Sequence, residues 1–574
     1  MILIAPSHLL GGLWGLVFAA PWAWWLIPPP RRTGITLAVM TLALSLGVLT
    51  LGMLALTWTG ALETEAVLGG TVAVCSAGLI VAWRAGLRLS GRRLGVPPIA
   101  RAIRSHQAAS GAALIILGLA ALIVLEAVYW PFSGDDAVSI YANHSRRIFQ
   151  ARALPQGEGL YEAYPMLLPF SHVYAYLLAG QVQEYLARVA VAALALGTLG
   201  ATFALGRALY GWRAGLAAAT LLALTPAFAR WAAAGYTDIP AGFFVALAAL
   251  TGWWLAEERS GRTAWLFGAL TGLAAWTKNS ALAVCLSALI WAIYLGWRRA
   301  LRWREIALVA AGLAMTAGPW YAHTLLEFGR LVPPTVWAER ARHTLGALVP
   351  FLSEPREYFA PGIAVTVGMG WSAVEAWRGR SAGERARLLW IMAGPFAIAW
   401  WWAASYETRF LLTIYPLFCV MGARALMTAW ETWRGERLLR PAYGLVLAVL
   451  LVALALPAAR KAVSHKGALL RDPLMDDTAR HQQVLGSIYD AALYLRALSA
   501  AGTVLTDDYF LPFYAAQEGR LRVVVGGLPD RAALSRYDYL VVRTGSPLLR
   551  VAEAGDLTRL TTIGRYDVYR VHVR

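Results

Sequence analysis

The sequence predicts an all-α polytopic membrane protein of about fourteen transmembrane helices, with external juxtamembrane helices and a small C-terminal soluble α/β domain. The chain has 574 residues with a mean hydropathy of +0.54, and 59% of them are hydrophobic. Only 15% are charged, whereas about a quarter are charged in soluble globular domains. Apolar stretches of about 20 residues, the length that crosses a bilayer as a helix, recur along the chain. These observations exclude a soluble enzyme and a transmembrane β-barrel.

The apolar stretches can be drawn as about fourteen crossings, separated by short loops that are often rich in arginine. The first stretch has no basic region ahead of its apolar run, so we interpret it as a retained span and not as a cleaved signal peptide. The predicted spans are residues 8–28, 36–57, 64–84, 107–130, 186–206, 212–231, 238–256, 262–277, 280–297, 304–324, 361–377, 387–403, 408–429 and 440–457.

The charge balance fits a membrane protein. The chain carries 51 Lys and Arg against 33 Asp and Glu, a formal net charge of +18. In a soluble protein this excess would suggest a nucleic-acid partner. Here the arginines cluster in loops between spans, and the positive-inside rule explains them without a polyanion. We therefore predict membrane lipids as partners and no nucleic acid.

The basic loops also predict the orientation of the chain in the cell (inner) membrane. Residues 84–104 hold six arginines and no acidic residue, so this loop is predicted to be cytoplasmic. The other basic loops fall on the same side only if residues 166–181 do not cross, and we expect an interfacial helix there. The extracytoplasmic side then receives the first long loop, the turns around Asp238, Lys278 and Glu407, and the C-terminal tail.

Three regions are predicted along the chain. Residues 1–100 form an N-terminal three-span module, residues 101–457 form a transmembrane core with its first external loop at 131–185, and residues 458–574 form an extracytoplasmic α/β domain. In that last region, helix-like residues 480–498 precede the strand-like stretches TVLT, RVVV, YDYLVVR and YDVYRV. The three cysteines lie in apolar segments without metal-ligand spacing, so we expect neither disulfides nor a zinc site.

Carboxylates at the predicted outer surface are the first candidates for chemistry. Asp135 and Asp136 follow directly after a span and a Pro-Phe-Ser-Gly turn. Loop acids are commonly solvated and inert, which is the alternative for this pair. Asp238 lies between two apolar spans, where a carboxylate is costly unless it is paired, hydrated or used. Its alternative role is to cap the following helix, which carries Pro240 in its first turn.

Cationic side chains at two other outer turns complement these acids. Lys278 lies in a turn so short that its ammonium should face a cavity or a phosphate, or else snorkel to the lipid headgroups. Tyr406, Glu407 and Arg409 stand at the mouth of another span. Arg409 can offer a bidentate fork to a phosphate, and an ordinary ion pair with Glu407 is the alternative.

Other polar residues in the outer loops favour structural roles. Arg146, Arg147 and Arg152 follow the acidic pair with aromatic residues between them, which predicts an amphipathic helix on the membrane surface. His172 and His323 lack metal-ligand spacing and are left out of the site. Because the sequence has no Walker A motif and no dinucleotide-binding glycine motif, any energy for a reaction must arrive on the substrate.

Four short motifs carry a family resemblance. They are GDDAVSIY, YPMLLPF, AAGYTDIPAGFF with LFGALTGLAAWTKNSAL, and ETRFLLTIYPLF. Their types and order resemble the GT-C superfamily of polytopic glycosyltransferases, and within it the branch of the protein O-mannosyltransferases and lipid A aminoarabinose transferases. The resemblance covers about residues 107–430 and is closest to bacterial members of unassigned acceptor. Asp136 stands where many relatives have Glu, and YPMLLPF lacks the Lys that aminoarabinose transferases carry before their prolines.

The resemblance implies a GT-C catalytic core in residues 101–457. Its donor would be a sugar linked to polyprenyl phosphate, held by its lipid in a groove between helices. Its acceptor would be a lipid, glycan or protein that arrives from the outer side. The transfer would invert the anomeric centre and move a hexose or a pentose.

The resemblance also distributes roles among the candidate residues. Asp135, aligned with the family's first acidic residue, would be the general base. Asp136 and Asp238 would orient the acceptor. No cofactor is certain, although these three carboxylates could hold Mg²⁺, Mn²⁺ or Ca²⁺. The donor phosphate would be bound by Lys278, Arg409 and Tyr406.

Two other classes of function compete with this hypothesis. A transporter or flippase of lipid-linked sugars would also place charges at helix breaks within the membrane. Against it, the sequence has no inverted repeat, and the charges collect on one face instead of at the membrane midplane. A noncatalytic scaffold would leave the acidic pair and Asp238 unexplained.

Overall fold

A computed structural model of the chain describes most of its length. The predicted cytoplasmic loop 84–104 and the predicted span 440–457 lie almost wholly outside the described residues. The structure describes residues 4–87, 107–155, 160–332, 338–341, 343–344, 357–379, 381–434, 449, 460, 471–472, 474–498, 501–516, 520–527, 531–551 and 555–572.

Helices form every predicted span that falls within these ranges. Alanine and leucine favour helices, and a helix satisfies its own backbone hydrogen bonds in lipid. The first helices in chain order are α1 Pro6–Val17, α2 Ala20–Leu26, α3 Gly34–Trp58, α4 Thr64–Arg84, α5 Gln107–Tyr129, α6 Asn143–Ala151, α7 Leu167–Ala179, α8 Glu184–Tyr210, α9 Trp212–Ala223 and α10 Pro226–Trp231. They continue with α11 Asp238–Glu257, α12 Gly261–Thr277, α13 Leu282–Trp297, α14 Trp303–Phe328, α15 Phe359–Arg378, α16 Ser381–Ala403 and α17 Tyr415–Arg434.

Seven helical segments among the described residues are long and apolar enough, by length and composition, to cross a membrane. The remaining predicted spans that the structure describes form helices that are shorter, interrupted or less apolar. The seven segments are Pro6–Leu26, Gly34–Trp58, Thr64–Arg84, Ser110–Tyr129, Glu184–Tyr210, Asp238–Glu257 and Asn279–Trp297.

Three segments differ in detail from the prediction. Residues 166–181 contain the expected short helix, α7, but its residues 167–177 are all buried against α3, α6 and α8, so it does not lie on the surface. The predicted span 212–231 is interrupted before Pro226, because proline cannot continue the hydrogen-bond ladder of α9. The predicted span 408–429 becomes α-helical only at Tyr415, after a 3₁₀ turn.

Glycine permits a close helix contact in the core, between α12 and α14. A Cβ atom on Gly312 would lie 2.3 Å from the carbonyl oxygen of Trp265, and one on Gly268 would meet the backbone of Val309. Small residues allow such backbone approach inside membranes. Thr316 then donates a hydrogen bond of 3.1 Å to the carbonyl of Ala269 across the same contact.

The first predicted spans pack directly on this core. The Trp276 indole on α12 donates a 2.9 Å hydrogen bond to the Thr50 hydroxyl on α3, and both side chains are buried. On α8, Gly197 leaves room for Leu42 of α3. Helix α3 therefore packs in one core with α8 and α12. The boundary at residue 100 between an N-terminal module and the transmembrane core stays a prediction.

Charged residues collect at the two ends of the bundle. At one end Arg31 pairs with Glu257, and Arg298 lies 3.5 Å from Glu384. The opposite end, here called the loop end, carries residues 130–142, the acidic loop between α5 and α6. The described loops around residues 31, 257–259, 298–300 and 384, which were predicted to share one side of the membrane, thus meet at one end of the bundle.

The tail contains the predicted α/β domain, with one more strand than expected. Helices α18 Asp477–Leu485 and α19 Ser487–Ala497 precede a five-stranded sheet of order β2-β1-β3-β5-β4. Strand β1 pairs in parallel with β2 and β3, and β5 pairs antiparallel with β3 and β4. The strands are β1 Gly502–Thr506, β2 Leu521–Val525, β3 Tyr539–Arg543, β4 Leu557–Ile563 and β5 Tyr566–Val571, and the short helix α20 Leu511–Ala515 follows β1.

Glu184, the first residue of α8, joins the tail to the acidic loop. Its Oε1 atom lies 2.6 Å from Nε2 of His481 on α18, and its Oε2 accepts a 2.8 Å hydrogen bond from the backbone N–H of Phe132. The Tyr514 hydroxyl on α20 donates to the carbonyl of the same Phe132 at 3.1 Å. Both polar backbone groups of Phe132 are therefore satisfied by this contact.

Arg146 forms a second connection to the tail, and it does not anchor α6 to lipid as predicted. The side chain is buried and donates hydrogen bonds to the carbonyl oxygens of Pro512, Phe513 and Ala516. Through these three hydrogen bonds the guanidinium on α6 holds the C-terminal part of α20.

Arg188, one turn into α8, fixes the backbone on both sides of the loop end. Its guanidinium is buried and donates to the carbonyls of Trp130 and Pro131, which begin the acidic loop, and to Ala233 in the turn before α11. A single side chain therefore sets the spacing between two segments that are about 100 residues apart in sequence.

The docking of the tail should weaken at alkaline pH. Burial lowers the pKa of His481, but Glu184 and Asp477 outweigh it and raise that pKa above the usual 6.5. The attraction of the protonated His481 ring to Glu184 is therefore fully present below the pKa of a free imidazole. It is lost as pH rises through the raised pKa of His481. In hydrogen–deuterium exchange of α18 and α19, wild type should be better protected than His481→Gln at pH 6, and this difference should disappear by pH 9. A difference independent of pH would contradict the assignment.

Arg188→Met should destabilise the loop end. The change leaves buried carbonyl groups without a donor, at about 1–3 kcal/mol for each such group. Arg207→Met, at the other end of the same helix and only half-buried, is the matched control. Thermal unfolding in detergent should give a clearly lower Tm for Arg188→Met, whereas equal Tm values for the two variants would show that the carbonyls find other donors.

Candidate functional site

The acidic loop turns sharply into a helix at Asp135. Gly134 approaches the ring of Tyr236 so closely that a Cβ atom there would lie 2.3 Å from Cε2 of the ring. Asp135 and Asp136 begin the helical turn, and residues 137–142 form a π-helical segment that leads into α6. Asp135 is exposed, and its carboxylate makes no ion pair or hydrogen bond with the residues that the structure describes.

Asp238 is the buried centre of the site. It is the first residue of α11, and its side chain is 2% exposed. It forms an ion pair with Lys278, and its Oδ2 lies 3.4 Å from Nε of Arg409. The preceding Thr237 is the N-cap residue, so Asp238 does not cap this helix as the alternative had it.

Arg409 connects the two acidic segments. It lies in a 3₁₀ turn, Thr408–Thr413, and its Nη2 donates a 2.7 Å hydrogen bond to Oδ2 of Asp136. Its guanidinium stacks over the Tyr236 ring at 4.1 Å. The Glu407 carboxylate accepts instead from the backbone N–H of Arg409 at 3.2 Å, so the ordinary side-chain ion pair is not formed.

Lys278 faces the site and does not snorkel to the headgroups. It ends α12, its ammonium donates to Oδ1 of Asp238, and its side chain is 15% exposed. The ammonium also lies 4.1 Å from the centre of the Phe410 ring. A cation held by a carboxylate and an aromatic face is fixed in position.

Each cation of the site faces carboxylates. Arg409 lies 2.7 Å from Asp136 and 3.4 Å from Asp238. For Lys278 burial prevails over Asp238, and the charge of Arg409 adds to it, so the pKa of the ammonium is lowered. The charged cluster, defined as Asp136, Asp238, Lys278 and Arg409, thus consists of two carboxylates and two cationic groups.

Tyr406 lies beside the charged cluster without joining it. Its ring meets the Phe410 ring edge-on at 6.2 Å. Burial raises the pKa of its hydroxyl, and the charge of Glu407 raises it further. The hydroxyl makes no hydrogen bond to any residue in the described ranges.

The carboxylates do not suit a divalent cation. Among the described residues, no three His, Cys, Asp or Glu side chains are grouped as a metal site requires. Asp136 and Asp238 both contact the Arg409 guanidinium, so positive charge already occupies the space between them. Each cation retains N–H groups beyond those used here, including a buried Arg409 Nε without a hydrogen-bond acceptor among the described atoms. These unused N–H groups can donate to hydrogen-bond acceptors of a ligand.

Several residues of the site were missed in the sequence. Tyr236 and Phe410 supply the aromatic faces under the cations, and Arg188 and Glu184 hold the acidic loop. The sequence did mark Arg188 and Glu184, because both charges fall in the first turns of an apolar span. No pattern distinguished the two aromatic residues from core residues.

Comparisons with known proteins support this architecture. Residues 164–322 match the family model described as dolichyl-phosphate-mannose-protein mannosyltransferase. The matched segment contains Asp238 and Lys278, while Asp135, Asp136 and Arg409 lie outside it. A comparison with curated proteins finds no match.

Solved structures share the fold at low sequence identity. ArnT from Cupriavidus metallidurans, bound to undecaprenyl phosphate, is 17% identical with a TM-score of 0.56, and the match covers 80% of this chain and 98% of that one. The oligosaccharyltransferase of Archaeoglobus fulgidus in its apo form is 12% identical with a TM-score of 0.51, covering 75% of this chain and 69% of that one. The predicted resemblance is therefore confirmed: the chain is a polytopic membrane protein with the GT-C glycosyltransferase fold, similar to the branch of the protein O-mannosyltransferases and ArnT.

Proposed function

We propose that this protein is a glycosyltransferase that moves a sugar from a polyprenyl-phosphate donor to an acceptor at the extracytoplasmic face of the inner membrane. One observation carries the proposal: acidic and basic residues from four separate segments meet at the loop end, next to an exposed carboxylate. The undecaprenyl phosphate bound to the similar ArnT supports a lipid phosphate as the donor's leaving group.

The chemistry assigned to Asp135 is general-base catalysis of an inverting displacement. The acceptor hydroxyl attacks the anomeric carbon, the bond from that carbon to the phosphate oxygen breaks, and the hydroxyl proton passes to the Asp135 carboxylate. An exposed carboxylate without an ion pair can accept this proton, whereas Asp136 is held by Arg409. Asp136 and Asp238 act by orienting the acceptor and the two cations.

The leaving phosphate is assigned to Lys278 and Arg409. Negative charge grows on the bridging oxygen as the glycosidic bond breaks, and fixed cations stabilise that charge more in the transition state than in the ground state. Asp238 contacts both cations, so they are positioned before the donor arrives. Tyr406, whose ring meets that of Phe410, is the third group assigned to the phosphate.

Asp135→Asn should abolish transfer without unfolding the protein. Loss of a general base costs about 10²–10⁴ in rate, and an exposed side chain without partners contributes little to stability. Asp472→Asn, an exposed acid in the tail, is the control. Purified protein in detergent is given radiolabelled undecaprenyl-phosphate mannose, glucose or arabinose with an extract of membranes and cell wall.

Label should move from one donor to an extract component with wild type and with Asp472→Asn only. Transfer by Asp135→Asn at the wild-type rate would remove Asp135 from the mechanism. If folded wild type consumes no donor, the same donors in vesicles test the transporter alternative, in which labelled lipid crosses the bilayer unchanged.

Arg409→Lys should weaken catalysis although the positive charge is kept. An ammonium cannot contact Asp136 and Asp238 together through separate nitrogens, so the geometry of the site is lost. We expect kcat/KM for the donor to fall by about 10²-fold. Arg230→Lys is the matched control, because this arginine also lies near the loop end and pairs with Glu357 at 3.0 Å. Equal kinetics for the two variants would contradict a role of Arg409 in the site.

A further inference from the structure

An open cleft lies outside the charged cluster, between the membrane core and the tail. It has a volume of about 750 Å³ and is bounded by α6, by the turn between α7 and α8, and by α18, α19 and α20 of the tail. None of the four residues of the charged cluster lines it. The polar and aromatic residues on which the argument rests are Gln150, Gln181, Tyr185, His481, Tyr489 and Arg496.

The lining combines buried aromatic rings with exposed polar groups. His481 stacks on Tyr489 at 4.6 Å between ring centres, and Tyr185 meets His481 edge-on at 6.5 Å. Gln150 is partly exposed, and Gln181 and Arg496 are exposed. The rings are largely packed against one another and present only small apolar areas to the cleft, while amide and guanidinium groups at its rim can donate to the hydroxyls of a ligand.

We propose that this cleft binds a carbohydrate, the acceptor glycan of the proposed transfer. Its volume falls within the range of about 300–1,000 Å³ for small-molecule sites, enough for several sugar units. A polyprenyl chain requires a continuous apolar wall, which the charged groups of Asp477, Arg480 and Arg496 interrupt. A sugar chain instead presents alternating hydroxyls and C–H faces, which match this mixture.

The wall of the cleft is shared with the acidic loop. Glu184 and Tyr514 line the cleft, and both hold the backbone of Phe132. Asp135 is three positions after Phe132 in the sequence, which limits the distance between their Cα atoms to about 11 Å. The segment that carries the assigned general base is therefore held by residues of the cleft wall.

The acceptor role rests on the proposed function, but carbohydrate binding can be measured without it. Full-length protein in detergent is titrated with linear hexasaccharides of mannose, glucose and arabinose, and binding is followed by calorimetry. Gln181→Trp narrows the cleft, and Gln150→Ala with Arg496→Ala removes polar groups from its rim. Arg559→Ala, an exposed arginine on β4 outside the cleft, is the matched control.

Wild type and Arg559→Ala should bind at least one hexasaccharide, and both cleft variants should bind it at least tenfold more weakly at unchanged Tm. The cleft variants should also raise KM for the acceptor while KM for the donor stays the same. Absence of binding to all three hexasaccharides, or equal binding by Gln181→Trp, would overturn the site. Binding without transfer from any donor would instead refute the acceptor role and the proposed function, and leave a carbohydrate site.

Discussion

Buried charge that must be neutralised is the constraint on which the loop end depends. Taking a carboxylate out of water costs several kcal/mol unless a cation compensates it. Asp238 is almost fully buried, and both of its oxygens lie near cations, one from the end of α12 and one from the turn before α17. Because Arg409 also binds Asp136, this requirement draws four segments of the chain to one point.

Residues outside the charged cluster also fix the loop end, through hydrogen bonds to its backbone. Arg188 supplies donors to the start of the acidic loop and to the turn before α11, while Glu184 and Tyr514 hold Phe132 from the core and from the tail. Loop backbone near the membrane needs such partners, since unsatisfied polar groups are costly there. The tail is thus part of the support of the acidic loop.

Much of this organisation can be predicted from sequence because hydrophobic length and charge position act locally. The helices, the position of Asp238 and Lys278 at turns of one bundle end, and most strands follow from such patterns. The break in the predicted span 212–231 before Pro226 could also have been predicted from the proline. The partners of each charge could not be predicted, because the pairing of Arg409 with Asp136 spans 273 residues. Nor could the burial of residues 167–177 of α7 be predicted, since it depends on three neighbouring helices.

Helix geometry explains why two adjacent aspartates have different surroundings. Consecutive residues on an α-helix point about 100° apart, so one turn cannot direct both carboxylates to the same partner. The start of the helix directs Asp136 to Arg409 and leaves Asp135 exposed. The close contact of Gly134 with Tyr236 fixes where that turn begins, and the Tyr236 ring lies under the same guanidinium. Arg409 therefore contacts Asp136 directly, and through the Tyr236 ring it adjoins the glycine at which the turn of Asp135 begins.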